Sequence, residues 1–433
     1  MEQVPNSQVV PMSRRTLLIA ALVACAGCQS ERAVAPPPPP PSLPPPPPSG
    51  PSYEAIDLGT LGGASARPYA FNDSGDVVGS STTGSGEWHA FVWKDGVMRD
   101  LAVAFPGSRA ETITNAGLIA GVGMTARPEA RVFQWSNGVT TELGTISDLG
   151  GDEEVAVIGL TGTDVVAWRG SQMDRYTSVL WHNGVKQLLD GLYAPWNPGG
   201  EARAAAMNGR GQIVGASLMP GAAINDIYHA FIWEGGVTRD LGVLNEFSCD
   251  YDAHPELNCG ESGALDINSN GQVIGWSFDS ASHPHGVLWA AGSIRDLGLW
   301  TPVAINETGD IAGHGVRETE GTGYFWRNGT LTTLGSLGGG GTFVADMNDQ
   351  STLVGTSLTA EGKPHAFVWK PGQAVLTDLG AGPPGSPGAG IGTVAVAINA
   401  RGDILGYTCA NYDRGFCFFG GTYRAILWRV RTA

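Results

Sequence analysis

The sequence is poor in charge, and long amphipathic helical patterns are absent from it. Charged residues make up 15% of the 433 residues, and 41 acidic against 25 basic side chains give a formal charge of −16. Nucleic-acid binding needs a basic surface that neutralises phosphates, so this balance excludes nucleic acid as a partner. The apolar run at residues 16–24 is too short to span a bilayer, which takes about 20 residues.

Familiar catalytic motifs are missing as well. The sequence contains no Gly-x-Ser-x-Gly elbow, no His-Glu-x-x-His pair and no phosphate-binding loop. It therefore supplies no catalytic or cofactor-binding residue, which favours a protein that is not an enzyme.

Glycine, with 64 residues, is the commonest residue. It supplies the positive φ of tight hairpins and so predicts many short strands. A unit of roughly 47 residues recurs about eight times, a period typical of propellers and arrays. One copy contains an Asn72-Asp-Ser-Gly75 turn, the strand His89-Ala-Phe-Val-Trp93 and Asp100-Leu101. The tryptophan that closes the apolar strand recurs at Trp93, Trp135, Trp181, Trp233, Trp289, Trp326, Trp369 and Trp428.

Four short strands per unit predict one propeller blade, and the chain is expected to form an all-β propeller of about eight blades. Seven blades are the alternative, because the third unit, around residues 158–167, is degenerate. The first Asp57-Leu-Gly59 precedes any complete unit, whereas the last unit stops after Trp428. The N-terminal strand is therefore predicted to complete the last blade and to close the ring.

The words Asp57-Leu-Gly-Thr-Leu-Gly-Gly63 and His-Ala-Phe resemble those of the bacterial extracellular HAF-repeat family, over nearly all of residues 53–433. This resemblance implies export and a propeller-like β fold, and it leaves activity open.

The N-terminus reads as a targeting segment. Ser13-Arg14-Arg15 precedes the apolar run, and Leu22-Val-Ala-Cys25 resembles the lipobox of bacterial lipoproteins. We expect a signal peptide over 1–28, with lipidation at Cys25 or, alternatively, Cys28. Residues 29–52 are a proline-rich linker, and 53–433 form the propeller domain. The predicted location is the outer membrane, at the cell surface or the periplasmic face, with the membrane as a partner through the lipid anchor.

Two inserts bracketed by cysteines interrupt the repeat. In an oxidising compartment, Cys249 with Cys259 and Cys409 with Cys417 are predicted to form local disulfides, with a cysteine metal site as the alternative. Stiffened loops suit recognition, so the candidate ligand contacts are Tyr251, His254, Tyr412 and Arg414. Three tryptophans outside the repeat position are expected to pack in the core or rim or to stack on a sugar: Trp196, Trp276 and Trp300.

A weak calcium pattern is formed by Asp266, Asn268 and Asn270. The same window is the ordinary hairpin turn of the other units, and Ser277 stands where an EF-hand needs a bidentate glutamate. No other metal and no cofactor is predicted.

Three functions compete. The first is a binding module of the cell envelope with an unknown protein or glycan ligand. The second is a polysaccharide hydrolase or lyase, and the third is a structural envelope component. Candidate acids for the second are Glu201, Glu246, Asp250 and Glu256.

Overall fold

Each repeat unit folds into one four-stranded antiparallel sheet, and eight such sheets form a ring. The computed structural model describes residues 52–105, 107–124, 129–146, 154–170, 176–192, 201–219, 227–245, 260–315, 321–386, 390, 392–409, 412–413, 416–417 and 422–431. The described part of the chain contains no helix, and hence none that could cross a membrane. The fold is a β-propeller, as the sequence predicts, and the seven-blade alternative is wrong.

The first four blades follow the chain without interruption. Blade 1 contains β2 (Gly62–Phe71), β3 (Val77–Thr83), β4 (Trp88–Lys94) and β5 (Val97–Asp100). Blade 2 contains β6 (Arg109–Ile113), β7 (Ile119–Met124), β8 (Ala130–Ser136) and β9 (Val139–Thr145). Blade 3 contains β10 (Glu154–Thr161), β11 (Asp164–Gly170), β12 (Tyr176–His182) and β13 (Val185–Leu188). Blade 4 contains β14 (Ala202–Met207), β15 (Ile213–Leu218), β16 (Tyr228–Glu234) and β17 (Val237–Asp240).

The next three blades repeat this pattern. Blade 5 contains β18 (Ser262–Ile267), β19 (Val273–Phe278), β20 (Pro284–Ala290) and β21 (Ser293–Gly298). Blade 6 contains β22 (Trp300–Ile305), β23 (Ile311–Gly315), β24 (Gly323–Arg327) and β25 (Thr330–Thr333). Blade 7 contains β26 (Gly338–Met347), β27 (Leu353–Thr359), β28 (Pro364–Trp369) and β29 (Thr377–Asp378).

The last blade joins the two ends of the chain. Its strands are β30 (Thr393–Ile398), β31 (Ile404–Cys409), β34 (Tyr423–Arg431) and, at the outer edge, β1 (Ser52–Asp57). Ser52 pairs with Arg431 and Asp57 with Ile426, so the N-terminal strand closes the ring as predicted. A small hairpin of β32 (Tyr412–Asp413) and β33 (Phe416–Cys417) lies between β31 and β34 in the sequence.

The hydrophobic core lies between blades, because every blade buries both of its faces. The strand that ends in the repeated tryptophan supplies much of it: Ala90 and Phe91 are 0% exposed and Trp93 is 3% exposed. Trp93 packs toward Leu405 and Leu427 of blade 8, while Ala90 packs toward blade 2. Consecutive apolar residues are therefore buried on both sides of one strand, the pattern of a sheet covered on both faces.

The second strand approaches the first so closely that a side chain is excluded. A Cβ at Gly79 would lie 2.1 Å from the carbonyl oxygen of Arg67, and Gly121 meets the carbonyl of Arg109 at the same distance. A β-bulge follows in each inner strand pair, for instance between Pro68 and Ala70. Such bulges add local twist and re-aim side chains.

The two faces of the ring differ in their connections. Antiparallel strands put the first-to-second and third-to-fourth turns of every blade at one face, here named the turn face. The second-to-third links and the links between blades lie at the other, the connection face. The turns are short and, apart from 370–376 in blade 7, alike, as in 72–76 and 94–97. The longest links, 189–201, 241–261, 379–392 and 410–422, all join strand ends at the connection face.

Candidate functional site

At the turn face, asparagine side chains join each blade to the next. Asn72 shows the geometry: its Oδ1 accepts the N–H of Asp76 at 2.9 Å in its own turn, and its Nδ2 donates to the carbonyl of Thr114 in blade 2 at 3.3 Å. Five further side-chain donors repeat this bond: Asn208 to Asn268 at 3.0 Å, Asn268 to Asn306 at 3.0 Å, Asn306 to Asn348 at 3.4 Å, Asn348 to Asn399 at 3.0 Å and Asn399 to Asn72 at 3.2 Å. These six residues form the asparagine belt.

Blades 2 and 3 carry threonine at the belt position, and a different contact joins them. Between Thr114 and Thr161 no belt bond is found among the described residues, although the Thr161 hydroxyl donates to Asn208 O at 3.4 Å. A buried ion pair lies at this junction instead. Arg109 Nε donates to Glu111 Oε1 at 2.7 Å, and Glu111 Oε2 accepts the N–H of Val157 in blade 3 at 2.6 Å. The degenerate blade 3 is thus joined to blade 2 by a charged glutamate, whereas the belt junctions use the side-chain amide of an asparagine.

A cavity of about 340 Å³ opens at the turn face beside the belt. Its lining includes Phe71, Ile113, Met347 and Ile398, the residues that precede each turn, together with Asp73 and Asp349. Asp73 accepts the N–H of residue 400 at 3.0 Å, and Asp349 accepts that of residue 307 at 3.1 Å. These carboxylates therefore act in part as further links between blades.

At the connection face, the His of the His-Ala-Phe word pairs with the Asp of the Asp-Leu word in the adjacent strand. His89 Nδ1 lies 2.7 Å from Asp100 Oδ2, and Asp100 Oδ1 accepts the N–H of Ala102 at 2.8 Å. The same pair occurs in blades 4, 5 and 7 as His229 with Asp240 at 2.8 Å, His285 with Asp296 at 2.8 Å and His365 with Asp378 at 2.9 Å. Two repeated words of the sequence thus form one contact, which fastens the outermost strand.

Two blades keep the contact with different residues. In blade 8, Arg424 occupies the histidine position and pairs with Asp57 of β1 at 3.2 Å. In blade 2, Arg131 pairs with Glu142. An aromatic base is exchanged for a guanidinium, and an acid remains opposite it each time. Blades 3 and 6 have the uncharged residues Thr177 with Leu188 and Thr322 with Thr333 at these positions.

In two of these pairs, the hydrogen bonds lower the pKa of the carboxylate. Burial works to raise the pKa of Asp240, but hydrogen bonds from His229 and from the N–H of Gly242 outweigh it and leave the pKa below its usual value. Asp378 behaves in the same way beside His365. Because the pairs recur from blade to blade at equivalent positions, we assign them a packing role.

Glu261, at the start of blade 5, differs from Asp240 and Asp378 because its pKa is raised. Burial raises its pKa to about 7, against the opposing effect of nearby His229. This carboxyl therefore holds or releases a proton near neutral pH. It follows directly on the 241–261 link, and its surroundings are set by the fold alone, so no local sequence signal marks it.

Several of the predicted site residues lie outside the described residues: Cys25, Cys28, Trp196, Glu246, Cys249, Asp250, Tyr251, His254, Glu256, Cys259 and Arg414. Of Cys409, Tyr412 and Cys417 the structure gives the backbone, in which Tyr412 and Cys417 are paired strand neighbours and Cys409 ends β31. The lipidation, disulfide and recognition-loop assignments therefore stay predictions.

The residues of the calcium pattern serve contacts between blades. Asp266 Oδ2 accepts the N–H of Ile305 at 3.1 Å, and Asn268 belongs to the belt. Asn270 Nδ2 donates to the carbonyl of Glu307 at 3.0 Å. Within the described ranges, no group of three or more His, Cys, Asp or Glu side chains could hold a metal ion. Calcium binding at this turn stays a prediction.

The other described candidates pack into the fold. Trp300 is 2% exposed and donates from Nε1 to the carbonyl of Leu297 at 2.7 Å. Trp276 meets the edge of Phe278 at a centroid distance of 5.3 Å. Glu201 accepts a hydrogen bond from the Tyr228 hydroxyl at 3.3 Å.

Comparison with known proteins finds no match in sequence and only distant likenesses among solved structures. No family model and no curated protein matches the chain. Among solved structures, the β-propeller domain of the Trilobed protease from Pyrococcus furiosus is similar, with 10% identity, a TM-score of 0.45 and coverage of 73% of this chain and 95% of that one.

Other similar structures include an acylaminoacyl peptidase from Pyrococcus horikoshii (10% identity, TM-score 0.43, 75% and 53% covered) and a lectin from Aleuria aurantia (11%, 0.32, 65% and 97%). This chain spans about half the length of that peptidase. At such identities and TM-scores the likeness carries no argument about function.

Proposed function

We propose that this protein is an exported, lipid-anchored binding module of the cell envelope that recognises its ligand with the connection face. The observation that carries this proposal is the contrast between the two faces. The turn face consists of short turns, all but 370–376 of two recurring kinds and fastened by the asparagine belt, whereas the long and dissimilar links all join strand ends at the connection face. Variable loops on a rigid scaffold are the usual place for recognition.

The position of the chain ends supports the same orientation. β1 occupies the place of a fourth strand, so it begins at the turn face, and β34 ends there beside it, with Ser52 paired to Arg431. A linker that reaches Ser52 from a lipidated Cys25 or Cys28 would then attach at the turn face. The connection face would point away from the membrane, free to meet a protein or a glycan.

The test is a pull-down and glycan-array screen with the purified full chain, repeated on a variant in which residues 246–259 are replaced by Gly-Ser. A specific partner that is lost with this replacement supports the proposal. The matched control carries Asn183→Asp and Asn328→Asp in exposed turns of the turn face, and it should bind as the wild type does. Binding that is lost only in this control would contradict the assignment of the recognition face.

The anchor has its own test. A fatty-acid analogue should label the wild type and only one of the two variants Cys25→Ser and Cys28→Ser. The variant that loses the label identifies the lipidated cysteine. Turnover of a polysaccharide in the same glycan panel would favour the hydrolase instead. Co-purifying envelope proteins without a separable ligand would favour a structural component.

A further inference from the structure

Three inner strands carry an arginine five residues before the turn. Arg67, Arg109 and Arg203 occupy this position in blades 1, 2 and 4. In blades 2 and 4 this position lies at the connection-face end of the inner strand, since β6 begins at Arg109 and β14 at Ala202. In blade 1 the inner strand extends further, and Arg67 is the sixth residue of β2. At this position the side chain lies in the junction with a neighbouring blade, where an uncompensated charge is costly.

In blade 2 the chain provides the arginine with its own anion. Glu111, two residues further along the strand and on the same side, accepts from Arg109 Nε at 2.7 Å. Arg109 Nη2 also donates to the carbonyl of Val155. A guanidinium offers five N–H donors in a fork that fits a carboxylate, and this junction uses it in that way.

In blade 1 the corresponding arginine has no such anion. Arg67 is 8% exposed, and no acceptor lies within hydrogen-bond distance of its guanidinium among the residues that the structure describes. The residue two positions on is Tyr69, where blade 2 has its glutamate. The guanidinium carbon lies 5.5 Å from the Tyr69 ring centroid and 5.7 Å from that of Tyr423.

One neighbouring hydroxyl also needs a partner. The hydroxyl of Tyr69 is buried, and no hydrogen-bond partner for it is found among the described residues. The ring of Tyr407 meets Tyr423 edge-on at 5.8 Å. Burial, with the neighbouring hydroxyls, raises the pKa of Tyr407 against the opposing charge of Arg67, so this phenol stays protonated and is a donor. Tyrosine rings thus flank a cation and offer further donors to the same small volume.

We propose that Arg67 anchors a carboxylate-binding site at the seam between blades 8 and 1, and that its ligand is a uronate of an acidic glycan. The carboxylate takes the place that Glu111 fills in blade 2, accepting from the guanidinium and from the Tyr69 hydroxyl. The sugar ring packs on the half-buried ring of Tyr69, which presents an apolar surface to it. This assignment rests on the proposed function only in naming a ligand class for the connection face.

The test uses the purified full chain and sodium glucuronate as the probe, with glucose, acetate and sodium chloride at matched ionic strength as comparisons. Calorimetry should detect saturable glucuronate binding, with acetate weaker and glucose and chloride without effect. Thermal unfolding should shift upward with glucuronate only where the site is intact.

Tyr69→Glu is the decisive variant, because it places a carboxylate where blade 2 has one. It should weaken glucuronate binding by about tenfold or more and raise the unfolding temperature without ligand. Arg67→Met should also lose binding. The matched control is Ala205→Glu, which introduces an acid two residues after Arg203 in blade 4 and should leave glucuronate binding unchanged.

Two results would overturn the assignment: no saturable binding to the wild type, or a Tyr69→Glu variant that binds as the wild type does. If acetate binds as tightly as glucuronate, the uronate source is wrong. If replacing residues 246–259 abolishes capture of a partner but glucuronate does not bind the wild type, the connection face remains the proposed recognition face and only the Arg67 site is wrong.

Discussion

Arg424 and Asp57 form an ion pair at 3.2 Å although 367 residues separate them in the sequence. Asp57 belongs to the strand that closes the ring, and both side chains are mostly buried, at 16% and 21% exposure. Four other blades fasten their outer strand with a histidine, but here the base carries a permanent charge. The contact that holds the two ends of the chain together is therefore a guanidinium–carboxylate pair.

Removing this pair should destabilise the closed ring. Arg424→Gln is expected to lower the free energy of unfolding by about 1 to 3 kcal/mol, between the values for exposed and buried pairs. Arg131→Gln breaks the more exposed equivalent in blade 2, where the chain is continuous, and should cost less. Urea unfolding of both variants measures the difference, and equal losses would contradict a special role in closure.

The asparagine belt should contribute at each junction. Asn399→Ala removes the donor to Asn72 O and the acceptor for two turn N–H groups, and should cost about 1 to 3 kcal/mol. The control is Thr114→Ala, which removes a single bond within its own turn. Thermal unfolding that ranks these two in the reverse order would argue against the belt as a source of stability.

The repeated tryptophans should be among the most sensitive core residues. Trp233 and Trp369 are 6% and 4% exposed, so their change to alanine is expected to cost about 3 to 5 kcal/mol. Trp135 is only partly buried, and Trp135→Ala should cost less. Unchanged unfolding of the first two variants would contradict burial of the third strand on both faces.

His314 predicts a loss of stability in acid. Burial lowers its pKa to about 4, and beside the ring of Phe343 its Nδ1 has no hydrogen-bond partner in the part of the chain that the structure describes. In the unfolded chain this imidazole binds a proton below about pH 6.5, whereas in the folded chain it does so only near pH 4. The free energy of unfolding therefore falls as the pH drops from about 6.5 toward 4. His314→Met should remove about 2 to 3 kcal/mol of this dependence. If the free energy of unfolding depends on pH in the same way in the wild type and in His314→Met, the prediction is wrong.

Glu261 predicts the opposite slope. Its pKa of about 7 in the folded state exceeds that of an unfolded glutamate, so the folded chain binds the extra proton. Stability should then fall as the pH rises from about 4.5 to 7, by about 1 to 2 kcal/mol because the group is partly exposed and faces His229. Glu261→Gln should be more stable than the wild type at pH 8 and equal to it at pH 4. Equal stability at both pH values would show that this carboxyl is not perturbed.

The repeat made most of the fold predictable. The blades were predictable from the repeated turns and from the apolar strand that ends in tryptophan, because these features depend on neighbours in the sequence. The ring closure was predictable because an Asp-Leu-Gly strand at Asp57 precedes the first unit and the last unit lacks one. The third blade was harder to predict, since its turn and apolar words are degenerate. Its place is secured by Arg109 and Glu111 of the preceding blade, a contact that no local pattern indicates.

The candidate site was less predictable. Histidine before Ala-Phe and aspartate before Leu were each visible as words, but their contact follows from strand register. The exchange of histidine for Arg424 and Arg131, with an acid retained opposite, is the one signal in the sequence that could have revealed it. Arg67 gave no signal, since its lack of an anion becomes apparent only beside Arg109.

The sequence by itself determined the propeller architecture, the strand order within a blade and the buried face of each repeated word, since hydrophobic periodicity and turn chemistry act over a few residues. It left seven blades open beside eight, and the structure has eight. Only the tertiary structure decided which side chains meet across blades: Asn399 with Asn72, Arg424 with Asp57, and Arg67 with three tyrosines from two blades. These contacts join residues far apart in the chain. Their geometry depends on how closing the ring brings the first and last blades together, which no local pattern encodes.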